Sequence, residues 1–115
     1  MLRGEIRLVD LDPVRANESN KRRPAVIVSN DRANAAAARL GRGVVTVVPV
    51  TSNTARVYPF QTLLRADATG LHHDSKAQAE QVRSVSIERL GAVLGRVPAD
   101  VMTQLDDALR LHLQL

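Results

Sequence analysis

Two apolar runs stand out along the chain: PAVIVS at residues 24–29 and GVVTVVPV at 43–50. Both are rich in β-branched residues and show no polar alternation, the pattern of strands buried on both faces. Residues 5–11 alternate loosely between polar and apolar, as a half-exposed strand does. Between that strand and the first run lies DPVRANESNKRR, whose Pro, Asn, Ser and charge predict a long loop. DRANAAAARLG is Ala-rich, can start at an Asn30 or Asp31 cap and ends at Gly41, which predicts a short helix. Pro49 removes a backbone donor from the second run, so that part of the strand is expected at an edge or bulge.

The second half is more broken. TSNTARV reads as a loop, YPFQTLLRA as an edge strand and DATGLHHDS as a turn-rich connection. AQAEQVRSV (77–85) predicts one further strand, and SIERLG one helical turn capped by Ser86 and closed by Gly91. AVLGRV is a short strand. In PADVMTQLDDALRLHLQL, Pro98 and Asp100 suit a helix start. Met102, Leu105, Leu109 and Leu113 then recur at helical spacing, flanked by Ala108 and His112. Several short strands with few long helices predict a mainly β protein: a small bent sheet or partly open barrel, with helices packed outside and a C-terminal amphipathic helix on one side.

A length of 115 residues suits one domain spanning 1–115. With one Tyr, one Phe and no Trp, the core must be built from Val, Leu, Ile and Ala. The absence of cysteine excludes disulfides and thiolate metal sites and favours a reducing compartment. No stretch has the length of a signal peptide or a membrane span, so the expected location is cytoplasmic. The formal net charge of +4 favours a polyanionic partner. The shortage of aromatic residues argues against a platform that reads single strands mainly by stacking.

The densest charge, Lys21-Arg22-Arg23, stands directly before Pro24 and the first buried run. A residue before proline is pushed towards extended backbone, so Arg23 is held at a rigid strand mouth. Lys21 and Arg22 belong to the loop. These cations can be gatekeepers beside an aggregation-prone strand, or a phosphate-binding cluster, since guanidinium forks match phosphate oxygens. Thr51 and Ser52 end the second run, where hydroxyls commonly cap turns. If the two runs are antiparallel neighbours, Arg23 and Thr51 face one cavity. On the strand drawn over 77–85, Gln81 and Arg83 share one face, Glu80 and Ser84 the other. Polar groups on both faces need partners, either a ligand or an internal Glu80–Arg pair. His72 and His73 lie in a turn-rich segment and His112 on the last helix, without metal-ligand spacing. There is no P-loop, dinucleotide fingerprint or nucleophile elbow.

Five stretches in order resemble the MazF/PemK/Kid family of toxin endoribonucleases from bacterial toxin–antitoxin systems. They are RGEIRLVDLDP (3–13), RRPAVIVSN (22–30), VVPVTSN (47–53), YPF (58–60) and AEQVRSV (79–85), followed by the amphipathic helix. Each is loose singly, and the ordered set covers nearly the whole chain. The resemblance implies an SH3-like, CcdB/MazF/Kid-type barrel that acts as a homodimer. It implies metal-independent cleavage of single-stranded RNA, with no cofactor, by 2′-hydroxyl attack giving 2′,3′-cyclic phosphate and 5′-hydroxyl ends. Arg23 and Thr51 map onto the family's catalytic positions. Asn17, Glu18, Lys21, Arg22, Ser52, Glu80, Gln81 and Ser84 map onto its RNA-binding surface. The loop that commonly reads Gly-Ser-Glu in the family is Ala16-Asn17-Glu18, and the usual aromatic of the first strand is replaced by Arg7, a change expected to be exposed. The implied partner is a cognate MazE-like antitoxin with a disordered, acidic C-terminal tail. Fold alone does not settle function: a CcdB-like gyrase poison and a non-enzymatic nucleic-acid-binding barrel share the same architecture.

Overall fold

The structure, a computed structural model, describes residues 1–11 and 22–115. Among the described residues seven strands run in the order β1 (Glu5–Asp10), β2 (Arg22–Ile27), β3 (Val44–Thr51), β4 (Gln61–Leu64), β5 (Ser75–Gln78), β6 (Arg83–Ser86) and β7 (Leu90–Arg96). Helix α1 (Asp31–Leu40) follows β2, the short α2 (Ala66–Thr69) follows β4, and α3 (Ala99–Leu113) closes the chain. All recorded pairings are antiparallel, in the spatial order β4-β5-β3-β2-β1-β7, with β6 added beside β3. The mainly β architecture with peripheral helices therefore stands, and β4, expected at an edge, is one.

The continuous apolar runs have a direct structural reason. Along β2, Val26 packs on one side of the sheet while Ala25 and Ile27 pack on the other. Along β3, Val48 and Val50 join the first cluster, Val45 and Val47 the second. Both strands are thus covered on both faces, which leaves no solvent side for polar residues. Helix α3 covers the first face with Met102, Leu105 and Ala108. Burial along α3 ends there: Leu109 is only partly buried, while Leu113 and His112 are exposed, so the apolar stripe is shorter than its spacing predicts.

Helix α1 begins as expected. The Asn30 side chain accepts a bond from the Ala33 N–H at 2.8 Å, and Gly41 ends the helix in the left-handed region at φ 68°. Three expectations need correction. Arg22 starts β2 and is no part of a loop. Arg7 is not an exposed replacement: its Nε donates to the Gly91 carbonyl at 2.9 Å and its guanidinium pairs with Glu5 at 3.1 Å. The single strand drawn over 77–85 is two strands broken by a 3₁₀ turn, Ala79–Gln81.

Register explains that break. From Val47 to Val50, β3 advances three residues, while its partner chain steps back six, from Arg83 to Ala77. The surplus residues make the turn. Pro49 falls at the same place. Thr46 directs both its N–H and its C=O towards the β2 side, so by alternation residue 49 directs its backbone towards β5 and β6. The donor that Pro49 lacks would have pointed into the gap between them. Pro49 is buried in a central strand, not an edge, and the irregularity sits in the neighbouring chain.

Candidate active site

Strands β2 and β3 are neighbours, with Val26 opposite Val48 and Ala25 opposite Pro49. The recorded pairing ends there, and extending its register by two residues sets Arg23 level with Thr51. The two residues line one cavity of about 370 Å³ together with Pro24, Val50, Ser52, the segment Gly70–His73, Ser75 and Leu94. The mouth of one buried strand and the end of the next thus present a guanidinium and a hydroxyl to a common space.

Arg23 is exposed and has no side-chain partner among the described residues. Its backbone is carried by the β1–β2 ladder, in which Val9 stands opposite Arg23 and Leu8 opposite Pro24. The Thr51 Oγ1 accepts from the Asn53 N–H at 3.3 Å. That bond uses an acceptor site and leaves the hydroxyl proton free to donate into the cavity. Thr51 is also tied on its other side, opposite Lys76 of β5.

Other expected site residues lie elsewhere. Arg22 lines a separate, smaller hollow with Asp10, Glu88 and Arg89, because successive strand residues point to opposite faces. Glu80 and Gln81 sit in the 3₁₀ turn and Ser84 in β6, and none of them lines the cavity. Among the described residues Glu80 has no arginine partner: its Oε2 accepts from the Gln61 amide at 2.7 Å, and its buried Oε1 has no partner there. Arg83 instead donates to the Leu11 carbonyl at 2.6 Å. Asn17, Glu18 and Lys21 fall outside the described residues.

Two features were not foreseen. The single Tyr and single Phe stack on one another, Tyr58 on Phe60, with ring centroids 5.3 Å apart. Arg56 and the buried Lys76 approach the Tyr58 ring at 5.7 and 5.8 Å, and the Lys76 Nζ donates to the Arg56 carbonyl at 2.6 Å. Few aromatics therefore still make one compact ring pair beside the site. The second feature is the presence of His72 and His73 on the cavity wall. Their sequence carries no ligand spacing or catalytic motif, so nothing local identifies them.

Comparison with known proteins follows the same line. The pattern of the PemK-like, MazF-like toxins of type II toxin–antitoxin systems matches residues 2–113. Endoribonuclease MazF9 of Mycobacterium tuberculosis is 67% identical over 115 residues, spanning all of this chain and 98% of that protein. Among solved structures, MazF from Deinococcus radiodurans superposes with a TM-score of 0.77 at 28% identity, covering 100% of this chain and 97% of that one. A mycobacterial endoribonuclease in complex with its cognate antitoxin also gives 0.77, at 25% identity, covering 100% and 96%.

Proposed function

This chain belongs to the PemK-like, MazF-like toxins of type II toxin–antitoxin systems and is an endoribonuclease, and we propose that it cuts single-stranded RNA at the Arg23–Thr51 cavity. The 2′-hydroxyl oxygen attacks the adjacent phosphorus, the bond to the 5′ oxygen breaks, and the products carry a 2′,3′-cyclic phosphate and a 5′-hydroxyl. No metal takes part. Charge gathers on the nonbridging oxygens as the phosphorus becomes five-coordinate. Arg23, carried on the β2 backbone, and the Thr51 hydroxyl stabilise that charge by donating to those oxygens. The observation that carries this reading is an arginine held on a rigid strand, unpaired among the described residues, in one cavity with a hydroxyl donor.

The residues 1–115 act as one domain, as a homodimer. Ser52 borders the cavity and contacts the RNA there. The partner is an antitoxin with an acid-rich disordered tail, which a surface of net charge +4 suits. The mycobacterial and Deinococcus toxins seen with their antitoxins support this choice. Endoribonuclease relatives favour cleavage over gyrase poisoning or passive binding. Among the described residues no helix is long and apolar enough to cross a membrane.

The test is incubation with a mixed RNA pool in excess EDTA, followed by analysis of product ends. Wild-type protein should yield cyclic phosphate ends, and a folded Arg23→Ala variant should yield almost none. Wild-type cutting by that variant, or 3′-hydroxyl ends, would refute the site.

A further inference from the structure

The cavity holds a wall that the arginine and the threonine do not use. His72 and His73 line it from the segment between α2 and β5, facing the same space as Arg23, Thr51 and Ser52. Both histidines are exposed, and neither ring has a hydrogen-bond partner among the described residues. Their backbone, by contrast, is well tied. Asp74 Oδ1 accepts from the Ala66 N–H at 2.8 Å, Ser75 Oγ donates to the His73 carbonyl at 3.0 Å, and the Leu71 N–H donates to Thr69 Oγ1 at 3.3 Å.

A close backbone contact sets this segment against the barrel. Gly70 adopts a φ of 86°, and a Cβ on Gly95 of β7 would stand 2.2 Å from the Thr69 carbonyl oxygen. Only glycine at 95 lets the turn come this close to β7, and the histidines follow two residues on, lining the cavity beside Leu94 of β7. Two free imidazoles on a pinned segment are the arrangement of functional groups, not of packing.

The proposed reaction needs such groups. Arginine stays protonated in proteins and threonine is a poor acid, so neither readily hands a proton to a departing alkoxide. The departing 5′ oxygen is also a stronger base than the attacking 2′ oxygen. Imidazoles as a class change charge between about pH 5 and 8 and suit this task. We infer that the His72–His73 pair is the general acid of the cleavage. The 2′-hydroxyl loses its proton to water as its oxygen bonds to phosphorus. The P–O5′ bond breaks and O5′ takes a proton from an imidazolium of the pair, which is recharged from solvent. Arg23, from β2, is the one lysine, arginine or acidic side chain lining the cavity among the described residues; β3 contributes Val50 and Thr51, the residue after it Ser52, and β7 contributes Leu94. Asp74 lies next to the pair, with its Oδ1 engaged by the Ala66 N–H.

This inference rests on the cleavage reading above, and the experiment separates the two. His72→Ala, His73→Ala and the double variant are assayed on RNA with an ordinary bond at a mapped cleavage position. They are then assayed on the same RNA with sulfur replacing the bridging 5′ oxygen, since a thiolate departs without a proton. The double variant should lose about 10²–10⁴-fold on the oxygen substrate and return close to wild type on the sulfur one. Activity of the folded double variant within about threefold of wild type would overturn the inference, as would an equal loss on both substrates. Arg23→Ala is run in parallel. If it is inactive while the histidine variants cut normally, only the general acid is wrong; if it too cuts normally, the cavity itself is wrong.

Discussion

Two hollows of this molecule each carry an arginine, and they treat it in opposite ways. In the larger, about 590 Å³ between the N-terminus, the start of α1 and α3, Arg3 is fully engaged. Its N–H donates to Asp31 at 2.6 Å and its Nε to the Val28 carbonyl at 2.8 Å, and its guanidinium pairs with Asp106. In the smaller hollow, Arg23 has none of this among the described residues, and the Thr51 and Ser52 hydroxyl donors and the two imidazoles around it are equally unspent. The size of a cavity therefore says little about its function. What marks the proposed active one is a rigid backbone carrying side chains whose hydrogen-bonding capacity is still open. Arg3 ties the segment before β1 to the β2–α1 junction and α3, whereas Arg23 has no such tie among the described residues.

Substitutions at the two arginines should separate activity from stability. Arg23→Ala should lower kcat/KM by at least about 10²–10³-fold, with a melting temperature close to wild type. A matching loss of stability would mean that Arg23 is structural. Thr51→Val removes one donor of similar shape and should cost roughly 10–10²-fold in kcat, with Thr51→Ser recovering most of it. Gly95→Ala tests the contact that places the histidines. It should destabilise by about 1–3 kcal/mol and slow cleavage as well, because the Thr69–Gly70 turn must lift from β7. Wild-type melting would refute that close contact.

The reciprocal experiment is Arg3→Met. It should lower stability by about 1–2 kcal/mol, a figure held down by the partial exposure of the Arg3–Asp106 pair, and leave kcat/KM unchanged. A shift of the urea midpoint at constant slope is the readout. The smallest effect concerns Glu5, beside Arg3 on β1. Burial raises its pKa, but the Arg7 hydrogen bond, a bond from the Leu2 backbone, and the N-terminal and Arg7 charges outweigh this and hold it below the usual value. A depressed carboxylate stabilises the fold above its unfolded pKa of about 4.3 and loses that contribution as pH falls through the folded value. Glu5→Gln should therefore lose less stability than wild type between neutral pH and pH 3, by roughly half a kcal/mol.

Much of the fold was legible because its signals are local. The runs at 24–29 and 43–50 read as doubly covered strands, since both faces of β2 and β3 meet apolar clusters. Asn30 and Gly41 bounded α1 through side-chain and backbone geometry that neighbouring residues dictate. The stretch 77–85 was misread because its polarity is that of one strand. Its break answers a register difference between two partners of β3, which involves residues 44–51 and not the stretch itself. The same limit governed Glu80: its partner, Gln61, is on another strand.

The site shows the same division. Sequence offered Arg23 and Thr51 as a pair on the condition that the two buried runs are antiparallel neighbours, and the family resemblance supplied their catalytic role. Sequence also pointed to the family, through five motifs in order along nearly the whole chain. Tertiary structure decided that Arg22 faces away from the cavity and that His72 and His73 face into it. No spacing along the chain encodes that placement. It arises where Gly70 meets Gly95, residues 25 apart in sequence, and a contact between distant segments leaves no periodic trace in either.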